Sequence, residues 1–98
     1  MKEIVSSEDV EDMYSTHELS KILGIGVRPV GQIPKRFNIP HKKYKRLRYY
    51  LLEDFIPYKL KRRDMYYVQS LDANSPDIWY GINNKEEIKF NIRELFNI

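Results

Sequence analysis

Between residues 15 and 24, apolar side chains recur at helical spacing: Leu19, Ile22 and Leu23 fall three and four apart within STHELSKILG. Ser15 stands three residues ahead of Glu18, the spacing at which each side chain satisfies a backbone N–H of the first turn, a capping box. Gly24 follows, free to take the positive φ that ends a helix. The stretch predicts a short amphipathic helix. Beyond it the period is lost. IGVRPVGQIPKRF holds Gly26, Pro29, Gly31 and Pro34, each of which disturbs a regular helix. Two placements fit: a second helix with Pro29 in its first turn, or about one turn beginning at Pro34, where a missing N–H is harmless.

After Pro40 the pattern turns extended. Tyr44, Arg46, Arg48 and Tyr50 alternate with Lys45, Leu47 and Tyr49, so a strand here would set Leu47 and Tyr49 inward and the arginines outward. RFNI and KRLRYY, joined across PHKKY, predict a β-hairpin. Leu51, Leu52, Phe55 and Ile56 then repeat at i, i+1, i+4 and i+5 and predict a short helix ending near Pro57.

The two ends are less sharply patterned. Residues 1–13 read as an acidic arm with room for a short strand through Ile4 and Val5. From residue 64 onward, MYYVQSL reads as a strand and DANSPD as a turn. IWYGI and EIKFNI can pair as a hairpin across NNKE, because Ile88, Phe90 and Ile92 alternate; Ile88, Ile92, Leu95 and Phe96 also share one face of a helix capped by Asn84. The helix propensity of KEEIKFNIREL tips the balance to extended structure up to about residue 82 and helix after it.

Charge changes this picture more than composition does. The net charge of +3 conceals three blocks: residues 1–18 carry one lysine against six acids, 19–63 carry thirteen lysines and arginines against two acids, and 64–98 carry three against six. The central block is interleaved with Ile, Leu, Phe and Tyr, so it can fold, unlike a basic tail, and still attract a polyanion. Nucleic acid is the leading partner. Lys42, Lys43, Lys45, Arg46 and Arg48 crowd into one short run, and a two-stranded ribbon would offer them to phosphates at regular spacing. Lys59, Lys61, Arg62 and Arg63 form a second basic group, a backbone contact or a charged linker. The plainer reading of the first run is a solvated edge strand on which lysine blocks pairing. Tyr44, Tyr49 and Tyr50 are read as core plugs before base-stacking platforms.

No catalytic constellation accompanies the basic block. The chain has no cysteine, which removes thiolate nucleophiles, disulfides and Cys-based zinc sites. His17 and His41 have no second ligand at metal-binding spacing, and Glu53 and Asp54, being adjacent, would point about 100° apart on a helix. None of the glycine motifs that cradle phosphates or expose a nucleophile occurs. The expectation is a protein that is not an enzyme, with no cofactor, no metal and no small-molecule substrate. The acidic N-terminal stretch lacks the order of a secretory signal and no apolar run reaches membrane-spanning length, so the expected location is cytoplasmic, with no membrane partner. A single alanine beside eleven isoleucines, ten lysines and six asparagines is the bias of an AT-rich genome, that of a low-GC bacterium or its phage.

Over roughly residues 13–58, MYSTHELSKILGI followed by IPHKKYKRLRYYLLEDFI resembles the small winged helix-turn-helix modules of the MerR-like and phage excisionase (AlpA-like) superfamily. The resemblance implies an α+β fold: a small winged helix-turn-helix with a basic β-hairpin wing, here followed by an additional acidic, aromatic C-terminal segment. The chain would then comprise an acidic arm at 1–13, a DNA-binding module at 14–63 and an extension at 64–98 that completes the core or forms a homodimer surface. The family's DNA-reading helix would fall at 27–38, offering Arg28, Gln32, Lys35 and Arg36, and the wing would offer Lys42, Lys43, Lys45, Arg46 and Arg48. The implied function is sequence-selective binding of double-stranded DNA in a phage or mobile element, as a transcriptional regulator or an excisionase-like architectural factor. The alternative is a non-enzymatic adaptor or host-takeover factor whose basic face binds an acidic protein surface.

Overall fold

The computed structural model describes residues 7–98, which divide into two compact units, one ending at Phe55 and the other beginning at Ile56. The strand expected through Ile4 and Val5 lies outside the described residues. Helices combined with two three-stranded antiparallel sheets make the protein α+β. Among the described residues no helix is long and apolar enough to cross a membrane.

The first unit begins with a 3-10 turn, Ser7–Val10, and then a two-residue strand β1, Tyr14–Ser15. Helix α1, Thr16–Leu23, starts at the expected capping box: the Ser15 N–H donates to Glu18 Oε1 at 3.1 Å and the Glu18 N–H to Ser15 Oγ at 3.3 Å. Gly24, at φ 71°, ends it by donating to the Ser20 carbonyl. Gly26 then caps α2, Val27–Phe37. Of the two placements read from the sequence, the helix with Pro29 in its first turn holds, and it runs on through Pro34 instead of starting there. Pro29 is the third helical residue, whose N–H would have no intrahelical partner anyway. Pro34 gives up one bond inside the helix, yet its ring is buried beside Val30 and Ile33, so packing offsets the lost bond. Asn38, at φ 53°, closes the helix.

Strands β2, Lys42–Tyr44, and β3, Leu47–Tyr50, form the hairpin, and β3 also pairs with β1, giving the order β1-β3-β2. The hairpin is tighter than the sequence predicts. RFN is the end of α2, and only Lys45 and Arg46, at φ 49° and 69°, separate the strands. Two successive positive φ angles make the two-residue turn that matches strand twist. This turn removes Arg46 from the strand and overturns the expected facing. Tyr44 pairs with Leu47, Lys43 with Arg48 and Lys42 with Tyr49, so Leu47 shares a face with Tyr44 and Tyr49 while Arg48 shares the other with Tyr50. Tyr50 is 2% exposed and Leu47 is 45% exposed; the inward residue at the base of the hairpin is on the arginine's face.

A 3-10 turn, Leu52–Phe55, closes the unit and seats Phe55, fully buried, edge-on to Tyr50 with ring centroids 5.9 Å apart. Beside it, Asp54 has a buried carboxylate oxygen with no hydrogen-bond donor among the described residues. Burial, helped by the neighbouring Glu53 charge, raises the Asp54 carboxyl above the usual aspartate range. A carboxyl raised on folding stabilises the fold below its unfolded pKa, and that contribution is lost as pH rises through the folded one. Asp54→Asn is therefore expected to raise the melting temperature at neutral pH and to change it little at about pH 3, where the acid is already protonated. A lower melting temperature at neutral pH would show that the carboxylate is favourably partnered.

The second unit opens with α3, Ile56–Leu60. The sequence predicts a helix ending near Pro57, whereas Pro57 is the second residue of α3, in the first turn, where a missing N–H costs little. A meander follows: β4, Tyr66–Gln69, β5, Ile78–Ile82, and β6, Glu87–Asn91, in the order β4-β5-β6, and then α4, Ile92–Phe96. The expected strand and turn at 65–77 are present. Beyond residue 82 the hairpin alternative prevails up to Asn91, and it is Asn91, not Asn84, that caps the last helix by accepting from the Arg93 N–H at 2.9 Å. Gly81 lets the sheet close: a Cβ there would stand 2.9 Å from both Ile88 and Tyr67 and 3.1 Å from the Met65 sulfur.

Candidate nucleic-acid interface

Helix α2 separates its side chains sharply. Val30, Ile33 and Pro34 are buried, while Arg28, Gln32, Lys35 and Arg36 are exposed. At about 100° per residue the exposed four fall within an arc of about 100° opposite the buried three. The helix thus presents one polar stripe of three cations and an amide, a set able to pair with base edges or phosphates.

The hairpin supplies the other cations. Lys42, Lys43 and Arg48 are exposed on β2 and β3, and Lys45 and Arg46 occupy the turn, with the Lys45 ammonium 5.4 Å from the centre of the Tyr44 ring. Because Arg46 is at the tip, it does not line up with Arg48 along one strand, as the alternating pattern implied. Two of the nine predicted residues, Lys35 and Arg48, are brought to a common feature: an open groove of about 350 Å³. Gly31, Pro34, Asn38, Ile39, His41 and Tyr50 complete its lining. No acidic residue lines it. Nothing lies within 4 Å of the place a Gly31 Cβ would take, so that glycine leaves the helix backbone open to the groove.

The electrostatics are one-sided. Among the described residues, the two ion pairs are Arg62 with Glu86, at 2.7 Å, and Arg93 with Asp77, at 3.5 Å, both in the second unit. None of the eight candidate cations has an acidic partner within 4 Å among the described residues. An unpaired cluster of this kind repels itself until a polyanion neutralises it. Arg62, by contrast, is held by Glu86 through two short contacts, 2.7 and 2.8 Å, which makes it a structural residue of the second unit. Sequence reasoning missed Asn38 and His41 as groove residues. A helix running on through Pro34 to Phe37 was the condition for placing them there, and the sequence left that helix as one of two open placements.

The chain matches no protein-family model, no curated protein and no solved structure. The geometry of the first unit therefore carries the functional conclusion.

Proposed function

We propose that this chain is a winged helix-turn-helix protein that binds double-stranded DNA selectively, serving a phage or mobile element as a transcriptional regulator or an excisionase-like architectural factor. In this reading α1, the Gly24–Gly26 turn and α2 form the helix-turn-helix, and β2 and β3 form the wing. The observation that carries it is the polar stripe of α2 and the five exposed hairpin cations on one compact unit, joined where Lys35 and Arg48 line one groove, with no acidic partner for any of them among the described residues. The eleven residues of α2 make a rod about 16 Å long, which a major groove about 12 Å wide admits. Gln32 and Arg36, one helical turn apart, face the base edges, glutamine suited to adenine and arginine to guanine. The wing follows the flanking backbone.

Selection from a random duplex pool, followed by competition binding, tests the division of labour. Gln32→Ala with Arg36→Ala is expected to lower the ratio of specific to non-specific affinity by about tenfold or more, since each such base pairing discriminates by about 1–3 kcal/mol. Lys42→Ala with Lys43→Ala is expected to weaken both kinds of binding alike. A pool that yields no enriched site, or an α2 variant that keeps full preference, would contradict base reading by α2.

A further inference from the structure

The sheet of the second unit has two unlike faces. Tyr67, Gly81 and Ile88 align across the strands on one face and close tightly around the Met65 sulfur. The other face carries three rows, the last of them Ile78 opposite Asn91. Tyr66, Ile82 and Glu87 are cross-strand partners in the first, and Val68, Tyr80 and Lys89 in the second; partners across strands, and residues two apart along them, share a face. This face is open: Tyr66 is 63% and Val68 40% exposed, and Glu87 and Lys89 are exposed as well. Glu86 next door holds Arg62, yet neither Glu87 nor Lys89 has an ion-pair partner among the described residues.

We propose that this face is the contact surface of a symmetric homodimer. A two-fold axis lying in the interface and crossing the strands between the first two rows turns each of them onto the other. Glu87 then meets Lys89 of the second copy, Ile82 meets Tyr80, and Tyr66 meets Val68, each relation occurring twice, as a two-fold contact requires. Every match is complementary, opposite charge on opposite charge and aromatic on aliphatic. Moving the axis onto the second row would set Lys89 against Lys89, so the charges select the register. Strands of four or five residues spaced about 4.8 Å apart give a footprint of roughly 14 by 17 Å. That is well below the area of a standard specific interface, and the dimer is weak and concentration-dependent. The inference is independent of DNA binding, and its test uses no DNA.

Sedimentation equilibrium of the full chain is expected to show a reversible monomer–dimer system. Glu87→Lys and Lys89→Glu, each replacing two attractions with two repulsions, should each raise the dimer Kd about tenfold. Mixing the two variants, or combining both changes in one chain, should restore dimerisation to near the original strength. Thermal melts that match the unaltered chain will establish that the variants are folded. A chain that stays monomeric up to about 1 mM, or a dimer indifferent to the charge changes, overturns the proposal. So does a monomer whose Tyr66 and Tyr80 instead bind single-stranded oligonucleotides by stacking.

Discussion

Replacing Lys35 and Arg48 together by glutamate is expected to lower duplex DNA affinity by two to three orders of magnitude, on the order of 3–4 kcal/mol. The two residues come from different elements, α2 and β3, and both line the groove that contains no acidic residue. A phosphate held by both cations gains two charge-assisted hydrogen bonds, and reversal turns both attractions into repulsions. Folding should be almost unaffected, because both side chains are exposed and unpaired among the described residues and exposed charges contribute little to stability. Fluorescence anisotropy paired with a thermal melt separates the two effects. Affinity that survives the double reversal would place the DNA elsewhere on the chain.

Phe55→Ala is expected to cost about 3–5 kcal/mol of stability, the range for emptying the site of a buried aromatic, and so to remove much of the 5–15 kcal/mol a domain of this size has. Phe55 is fully buried and packs edge-on against Tyr50, itself 2% exposed. The Phe55 and Tyr50 rings anchor the base of the hairpin. Leu47→Ala, on the open face near the tip, should change stability by only about 0.5 kcal/mol. Chemical denaturation of both variants checks the facing of β3. Comparable losses would show that Leu47 is packed and that the two faces have been exchanged.

Local chemistry was legible in the sequence wherever neighbouring residues decide the structure. Ser15 and Glu18 fix the start of α1 through contacts three residues apart, and Gly24 fixes its end. The polar residues of α2 were identified as candidates and a helix with Pro29 in its first turn was one of two placements, but the choice stayed open, because propensity weighs Pro34 by the hydrogen bond it loses and takes no account of the burial it gains beside Val30 and Ile33. Parity misled the reading of the hairpin. Counting alternate residues from Tyr44 to Tyr50 assumes one strand, and the turn at Lys45 and Arg46 resets the count. A two-residue turn made by a lysine and an arginine carries none of the asparagine or glycine that usually marks it. The strand Tyr14–Ser15 was invisible for another reason: two residues have no period, and their pairing with Tyr50 and Tyr49 is a long-range event. At residues 87–91 the same apolar positions fit a strand and a helix, and pairing with β5 decided between them.

The salt dependence of duplex binding tests the central claim most directly. If about five of the cations on α2 and the hairpin meet phosphates, log K against log[salt] should fall with a slope of about −4 to −5, since each neutralised phosphate contributes about −0.9. Anisotropy of a labelled duplex, measured from low to physiological salt, gives that slope. A steep line in this range is the expected result. A flat line, or no binding even at low salt, would contradict DNA recognition and leave the unpaired cations to an acidic protein surface.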